Sequence, residues 1–178
     1  MNQKLLSTCG DALDLKVRKA VFAILQDDKE QVMLVANRRR QGGYRWSFPG
    51  GLVDEGETAL EALTREVKEE TSIDVIQWNR LAYTTLVQFR NGTRDLDLNV
   101  EIHIAKEWEG TFDCSHDPDG LVEDAIFIDI LSAGDLYLGD DYISEPKLEW
   151  ALSQWDHPVN FTYRVDGRGE QRTIRRVK

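Results

Sequence analysis

Between Gly51 and Ile73 the chain gathers Glu57, Glu66, Glu69 and Glu70 around a single arginine, Arg65, directly after a Gly-Gly turn. Carboxylates at this density repel one another unless cations lie between them. The chemistry they suit is the holding of a hard divalent cation, which takes oxygen ligands and is normally shared between a few carboxylates and substrate phosphates. Ions held in this way neutralise a diphosphate, stabilise the departing phosphate and lower the pKa of a bound water. A solvated, glutamate-rich helix surface is the plainer reading of most charge runs. Here Glu66 and Glu70 form an unfavourable i,i+4 pair, so without a ligand the arrangement costs stability.

The elements that must position these groups follow from spacing. At 100° per residue, Glu66, Glu69 and Glu70 fall within about a 100° arc of one helix. Leu60, Leu63, Val67 and Thr71 fill an adjacent arc and predict the stripe that faces the core. Thr58 and Glu61 form a T-x-x-E capping box, which starts the helix at Thr58. Glu57 then lies on the loop before the first turn, free to fold back towards the cluster. Upstream, Val17 to Leu25 and Val32 to Ala36 read as strands joined by the polar turn Gln26–Gln31, and Thr84 to Phe89 as a third. From Leu96 to Ile104 apolar and polar residues alternate strictly, the pattern of a half-buried strand. Ala125 to Ile130 suits a more buried strand. Leu148, Ala151, Leu152 and Trp155 recur at helical spacing, with Pro146 expected in the first turn. Phe161 to Val165, the turn Asp166-Gly167-Arg168-Gly169, and Thr173 to Val177 predict a terminal hairpin.

Composition agrees with a single α/β domain spanning residues 1–178, with a core over about 16–157 and a hairpin extension over 158–178. A net charge of −10 excludes a general nucleic-acid or anionic-membrane binder. Cys9 and Cys114 are far apart and lack metal-type spacing, which reads as two reduced thiols in a cytosol. No run reaches transmembrane length and the N-terminus lacks a signal-peptide core, so a cytoplasmic protein is expected.

The segment Gly51–Ile73 resembles the Nudix box, G-x5-E-x7-R-E-U-x-E-E-x-G-U with U a bulky aliphatic. Gly51, Glu57, Arg65, Glu66, Val67, Glu69, Glu70 and Ile73 fall in register, and Ser72 stands where the box has glycine. The resemblance, MutT-like in character, implies an α/β/α sandwich with a mixed sheet, to which the C-terminal β-hairpin is an extension. It also implies hydrolysis at a diphosphate linked to a nucleoside, with Mg2+ as cofactor and Mn2+ as its substitute. Glu66, Glu69 and Glu70 would hold the ions, with Glu57 and the Gly51 backbone as further ligands. Arg65 would orient a box glutamate by a bidentate ion pair. Glu66, Glu69 or the distant Glu123 would serve catalysis, with Asp119 in reserve for Glu123. Between Glu69 and Glu123 as the base, the sequence does not choose.

Substrate-facing residues are fewer. Arg38 occupies the strand end that often carries an arginine near the phosphates in nucleotide-cleaving Nudix enzymes. Trp46 and Phe48 would lay a ring against a base, or simply pack in the core beside the loop. The resemblance favours a small nucleotide as partner, a nucleoside triphosphate (oxidised ones included) or a nucleotide sugar, and leaves a homodimer open. A non-catalytic nucleotide sensor and an ADP-ribose pyrophosphatase are the competing readings. Against the latter, Gln88 and Phe89 stand where many such pyrophosphatases carry a proline.

Overall fold

The computed structural model describes residues 15–39, 42–92, 95–115, 117–134 and 140–177. Cys9, Arg40 and His116 lie outside them, as does the N-terminal part of the expected 1–178 domain.

Among the described residues nine strands form two sheets. They are β1 Lys16–Ile24, β2 Val32–Arg38, β3 Tyr44–Ser47, β4 Gly50–Leu52, β5 Asp74–Arg90, β6 Leu96–Glu109, β7 Val122–Ile128, β8 Val159–Asp166 and β9 Thr173–Arg176. The larger sheet has the order β4-β1-β6-β5-β8-β9 and the smaller β3-β2-β7. β1 with β6 and β5 with β8 run parallel while the other pairs are antiparallel, so the sheet is mixed. Helix α1 covers Ala59–Thr71 and packs on β1, β4 and β5; helix α2, Asp141–Ser153, packs on β5, β8 and β9. The outcome is the expected helix–sheet–helix sandwich, with the hairpin β8–β9 extending one sheet edge.

Alternation along β1 and β2 divides the core. Val21, Ala23, Leu25 and Met33 join Ala62, Leu63 and Val67 beneath α1, whereas Ile24, Val32 and Leu34 face a second cluster with Trp150, Phe161 and Tyr163. The strict 2-residue period at Leu96–Ile104 becomes the start of β6, which runs on to Glu109. β5 is far longer than its recognisable part, because register shifts between Val75 and Tyr83 break the alternation that identifies a strand. The buried-strand expectation at Ala125–Ile130 is corrected: β7 spans Val122–Ile128 and is half-buried, and Ile130 opens a 3-10 turn capped by Asp129.

α1 begins with Thr58 as N-cap, its hydroxyl accepting from the Glu61 amide and the Glu61 carboxylate accepting from the Thr58 amide. Leu63, Val67 and Thr71 are buried as the arc predicts, but Leu60 is 41% exposed and Ala62 takes its place in the core. In the first turn the sheet lies on the Ala62 side, so Leu60 falls outside the contact. Ser72 ends the helix in the left-handed region at φ 60, the conformation a glycine adopts freely, and its Oγ donates to the Asp113 carbonyl at 2.8 Å. In α2, Pro146 sits beyond the first turn because the helix starts at Asp141.

Candidate active site

The loop and the helix that carry the glutamates are tied to the sheet by two glycines. Gly50 has φ 139, and a Cβ there would sit 2.2 Å from the Val21 carbonyl oxygen of β1. A Cβ on Gly51 would meet the Glu66 carboxylate at 2.6 Å. These glycines therefore let β4 lie against β1 and let the helix carboxylate come down onto the strand backbone.

Arg65 is the hub. Its Nε and Nη2 donate to the two carboxylate oxygens of Glu57 at 2.8 and 2.9 Å, a bidentate pair. Its Nη1 donates at 3.0 Å both to Glu66 and to Glu69. The hydrogen bonds to Arg65 hold the Glu57 carboxyl below its usual range, and those to Glu57 above all hold the Arg65 guanidinium further above its own.

Glu66 and Glu70 differ from Glu57. Burial is the main force raising the Glu66 carboxyl, with Arg65 opposing and Glu69 and Asp119 reinforcing. The same force pushes Glu70 up to about 8, although its Oε2 accepts a hydrogen bond from the Gly50 amide at 2.8 Å. The negative charges of Glu66, Asp117 and Asp119 add to the rise. This corner of the molecule is short of positive charge despite Arg65.

A divalent cation fits that deficit, since every donor is a hard oxygen. Among the described residues no three carboxylate, imidazole or thiol side chains already close around one point. Instead Arg65 gathers Glu57, Glu66 and Glu69, while Glu70 turns to Gly50. Replacing Arg65 by lysine leaves one point charge for a planar fork that grips three carboxylates. Arg65→Lys is therefore expected to weaken divalent-cation affinity by about 10- to 100-fold, the usual cost of losing a group that orients ligands. Calorimetric titration with Mg2+ checks this, and wild-type affinity in the lysine variant would show that the fork positions nothing.

Next to the glutamates opens a cleft of about 690 Å³ lined by Arg38, Arg39, Arg45, Asn37, Ser47 and Gly50. Asn37 and Arg45 are directly paired across β2 and β3, and the Asn37 amide donates to Ser47 Oγ at 3.0 Å. Gly50 belongs to both features: its amide holds Glu70 and its backbone lines the cleft.

Arg38 thus lies at the cleft, as expected, but its guanidinium pairs with Glu123 at 3.0 Å and donates to the Gly120 carbonyl at 3.0 Å. Glu123 also accepts from the Tyr44 hydroxyl at 2.8 Å, so it is occupied on the arginine side of the site. From the same acidic stretch it is Asp117 and Asp119 that act electrostatically on the box glutamates. Asp117 caps its own loop, accepting from the Leu121 and Val122 amides at 2.7 and 2.9 Å. Phe48 is buried and Trp46 half-buried, both packed in the larger core cluster. Sequence reasoning missed Arg39, Arg45, Asn37 and Ser47 as site residues. The signal for them is the β2–β3 pairing, which becomes visible only once Tyr44–Ser47 is known to be a strand.

The NUDIX domain family model matches residues 16–144. Over 54 residues, 30% of this chain, the sequence is 44% identical to the 8-oxo-dGDP phosphatase NUDT18 of Danio rerio, covering 17% of that protein. It is 33% identical over 85 residues to the 8-oxo-dGTP diphosphatase of Proteus vulgaris, 46% of this chain and 70% of that one. The chain spans less than a fifth of the length of the first of these relatives. The fold matches the MutT protein of Methanosarcina mazei with a TM-score of 0.64 at 18% identity, over 80% of this chain and 99% of the other. A family model that matches well over half of the 178 residues, together with a box whose arginine and glutamates converge below the Gly50–Gly51 turn, places this chain in the NUDIX domain family.

Proposed function

We propose that the chain hydrolyses a diphosphate bond in a nucleoside diphosphate linked to another group. The preferred class is a nucleoside triphosphate, oxidised ones included, with nucleotide sugars second. The observation that carries this reading is Gly50, where a carboxylate cluster short of positive charge meets a cleft lined by three arginines. Neither half suffices alone: arginines bind phosphates without cleaving them, and carboxylates alone repel a diphosphate. The names of the relatives agree, being an 8-oxo-dGDP phosphatase, an 8-oxo-dGTP diphosphatase and a dihydroneopterin triphosphate diphosphatase.

NUDIX hydrolases generally use divalent metals, and we assign Mg2+ here, with Mn2+ as its substitute. When bound, the ion supplies charge neutralisation at the diphosphate and lowers the pKa of a bound water. Glu66, Glu69 and Glu70 would hold it, with the Gly51 backbone against Glu66. Glu57 acts through Arg65, fixing the fork that aligns Glu66 and Glu69. Arg39 and Arg45 grip the phosphates, joined by Arg38 when substrate competes with Glu123 for its guanidinium. Glu69 takes the proton from the attacking water, because one of its oxygens is held by Arg65 while the side chain is 35% exposed. Glu123 serves as the counter-charge that parks Arg38. The working unit is a single cytoplasmic domain, 1–178, in which residues 158–178 extend the core.

A hydrolysis screen with Mg2+ over nucleoside triphosphates, their oxidised forms, ADP-ribose, dinucleoside polyphosphates and nucleotide sugars tests the reading. Turnover is expected to be highest for a nucleoside triphosphate. Tight binding of one ligand with no turnover of any would instead identify a nucleotide sensor.

A further inference from the structure

Ser72 stands where the box has glycine, and glycine is the residue its backbone suits. Its φ of 60 and ψ of 8 lie in the left-handed region, where a side chain costs free energy. What the serine side chain adds is a tie. Its Oγ donates at 2.8 Å to the carbonyl of Asp113, a residue 41 positions later in the chain. The Asp113 amide in turn donates to the Thr71 carbonyl at 3.0 Å. Two hydrogen bonds thus fasten the segment after β6 to the exit of α1. The fastening point is firm, because Thr71 is buried and the Lys68 ammonium donates to the Ser72 carbonyl at 3.1 Å. Gly110 lets the backbones come close: a Cβ there would stand 3.4 Å from the Ser72 carbonyl oxygen, on a backbone with φ 108.

From Asp113 the hydrogen bonds continue towards the arginine cleft. Asp113 Oδ1 accepts from the Ser115 amide at 2.8 Å, and the Asp117 amide donates to the Cys114 carbonyl at 3.1 Å. The Asp117 carboxylate accepts from the Asp119 amide at 3.2 Å, besides the amides of Leu121 and Val122. The Gly120 amide closes the turn onto the Asp117 carbonyl, and the Gly120 carbonyl accepts from Arg38. The segment is therefore held near β7 by this turn and by Arg38, and at α1 by Ser72 and Thr71. Between the two ties stand Asp117 and Asp119, whose charges bear on the box glutamates, Asp119 on both Glu66 and Glu70.

A carboxylate facing other carboxylates costs energy until a cation lies among them, and then it strengthens their hold on that cation. The effect falls with separation, so it depends on where the segment is fastened.

We propose that Ser72 is a positioning residue: through Asp113 it holds Asp119 towards Glu66 and Glu70, and so raises the affinity of the box for a divalent cation. Glycine at this position is easier on the backbone and serves the site less well. The inference rests on the Mg2+ assignment above.

The test is calorimetric titration with Mg2+ of the wild type, Ser72→Gly, Ser72→Ala, Asp119→Asn and the variant combining Ser72→Gly with Asp119→Asn. Thermal midpoints are measured on the same proteins without divalent cation. Ser72→Gly should bind Mg2+ about 5-fold more weakly, the order of effect of one net hydrogen bond, with a midpoint equal to or above that of the wild type. Ser72→Ala loses the hydroxyl but keeps the strain, so it should show the same loss of affinity with a lower midpoint. Asp119→Asn should also weaken binding, and the combined variant should bind no more weakly than Asp119→Asn alone, because Ser72 acts through that charge. Wild-type affinity in Ser72→Gly would reduce Ser72 to a helix stop and overturn the inference. So would losses that track the midpoints of the glycine and alanine variants, or that multiply in the combined one. If the wild type itself binds no Mg2+, the metal assignment falls and takes this inference with it.

Discussion

Glu70→Gln is expected to abolish hydrolysis while making the metal-free protein more stable at alkaline pH. The loss should reach orders of magnitude in kcat, since the variant removes a charged oxygen donor facing the site where the diphosphate is neutralised. The stability gain follows from linkage. In the unfolded chain Glu70 titrates near 4.5, whereas burial raises it to about 8 in the fold. A carboxyl raised in this way binds its proton more tightly when folded. Its stabilising contribution is complete below about pH 4.5 and disappears as pH rises through 8. Above pH 8 the metal-free wild type must hold an ionised, buried carboxylate next to Glu66, at a cost on the order of a few kcal/mol. Glutamine keeps an oxygen for the Gly50 amide and carries no charge, so it avoids that cost. Thermal denaturation without divalent cation should show similar midpoints for the two proteins at pH 5 and a higher midpoint for Glu70→Gln at pH 8.5. Adding Mg2+ should raise the wild type alone and close the gap. Equal turnover in the two proteins would remove Glu70 from the site. Equal midpoints at pH 8.5 would mean that its charge is already compensated.

Two adjacent glycines should behave oppositely on substitution by alanine. At Gly51 the new Cβ would strike the Glu66 carboxylate at 2.6 Å, the far end of a flexible side chain that can swing away. The fold should survive with a change within about 1 kcal/mol, but Glu66 would leave its place. A displacement of about 1 Å at a reacting centre costs around 100-fold in rate. At Gly50 the Cβ would meet the Val21 carbonyl oxygen at 2.2 Å on a backbone with φ 139. Neither partner can move, because Gly50 pairs with Phe22 and β1 is held on both sides, between β4 and β6. Gly50→Ala should therefore destabilise the protein by several kcal/mol. Chemical denaturation and single-turnover hydrolysis of both variants separate the two effects. A Gly51→Ala protein with wild-type turnover would show that the position of Glu66 does not matter.

What the sequence alone determined is what depends on spacing along one segment. The capping box at Thr58 and Glu61, the arc of Glu66, Glu69 and Glu70, and the burial of Leu63, Val67 and Thr71 all follow from the pitch of one helix. The half-buried strand beginning at Leu96 follows likewise from a period of 2. Periodicity has no grip where it is interrupted, and so the first half of β5, with its register shifts, and the short β3 and β4 were not legible. Nor can it say which neighbour fills the space beside a side chain. Leu60 satisfies the arc yet faces solvent, because the sheet passes under Ala62 at that turn. Glu123 and Asp119 stand four residues apart in one acidic loop, yet Arg38 and Tyr44 engage Glu123 while Asp119 acts on the glutamates. The arginine cleft needs Arg45 set opposite Asn37, and Phe48 meets Lys147 only because a helix about a hundred residues later in the chain is brought onto it. Local order follows from backbone geometry, which every segment carries within itself. The charge balance of Glu70 and the lowered pKa of Lys147 depend on burial, and burial exists only when distant segments have closed over them.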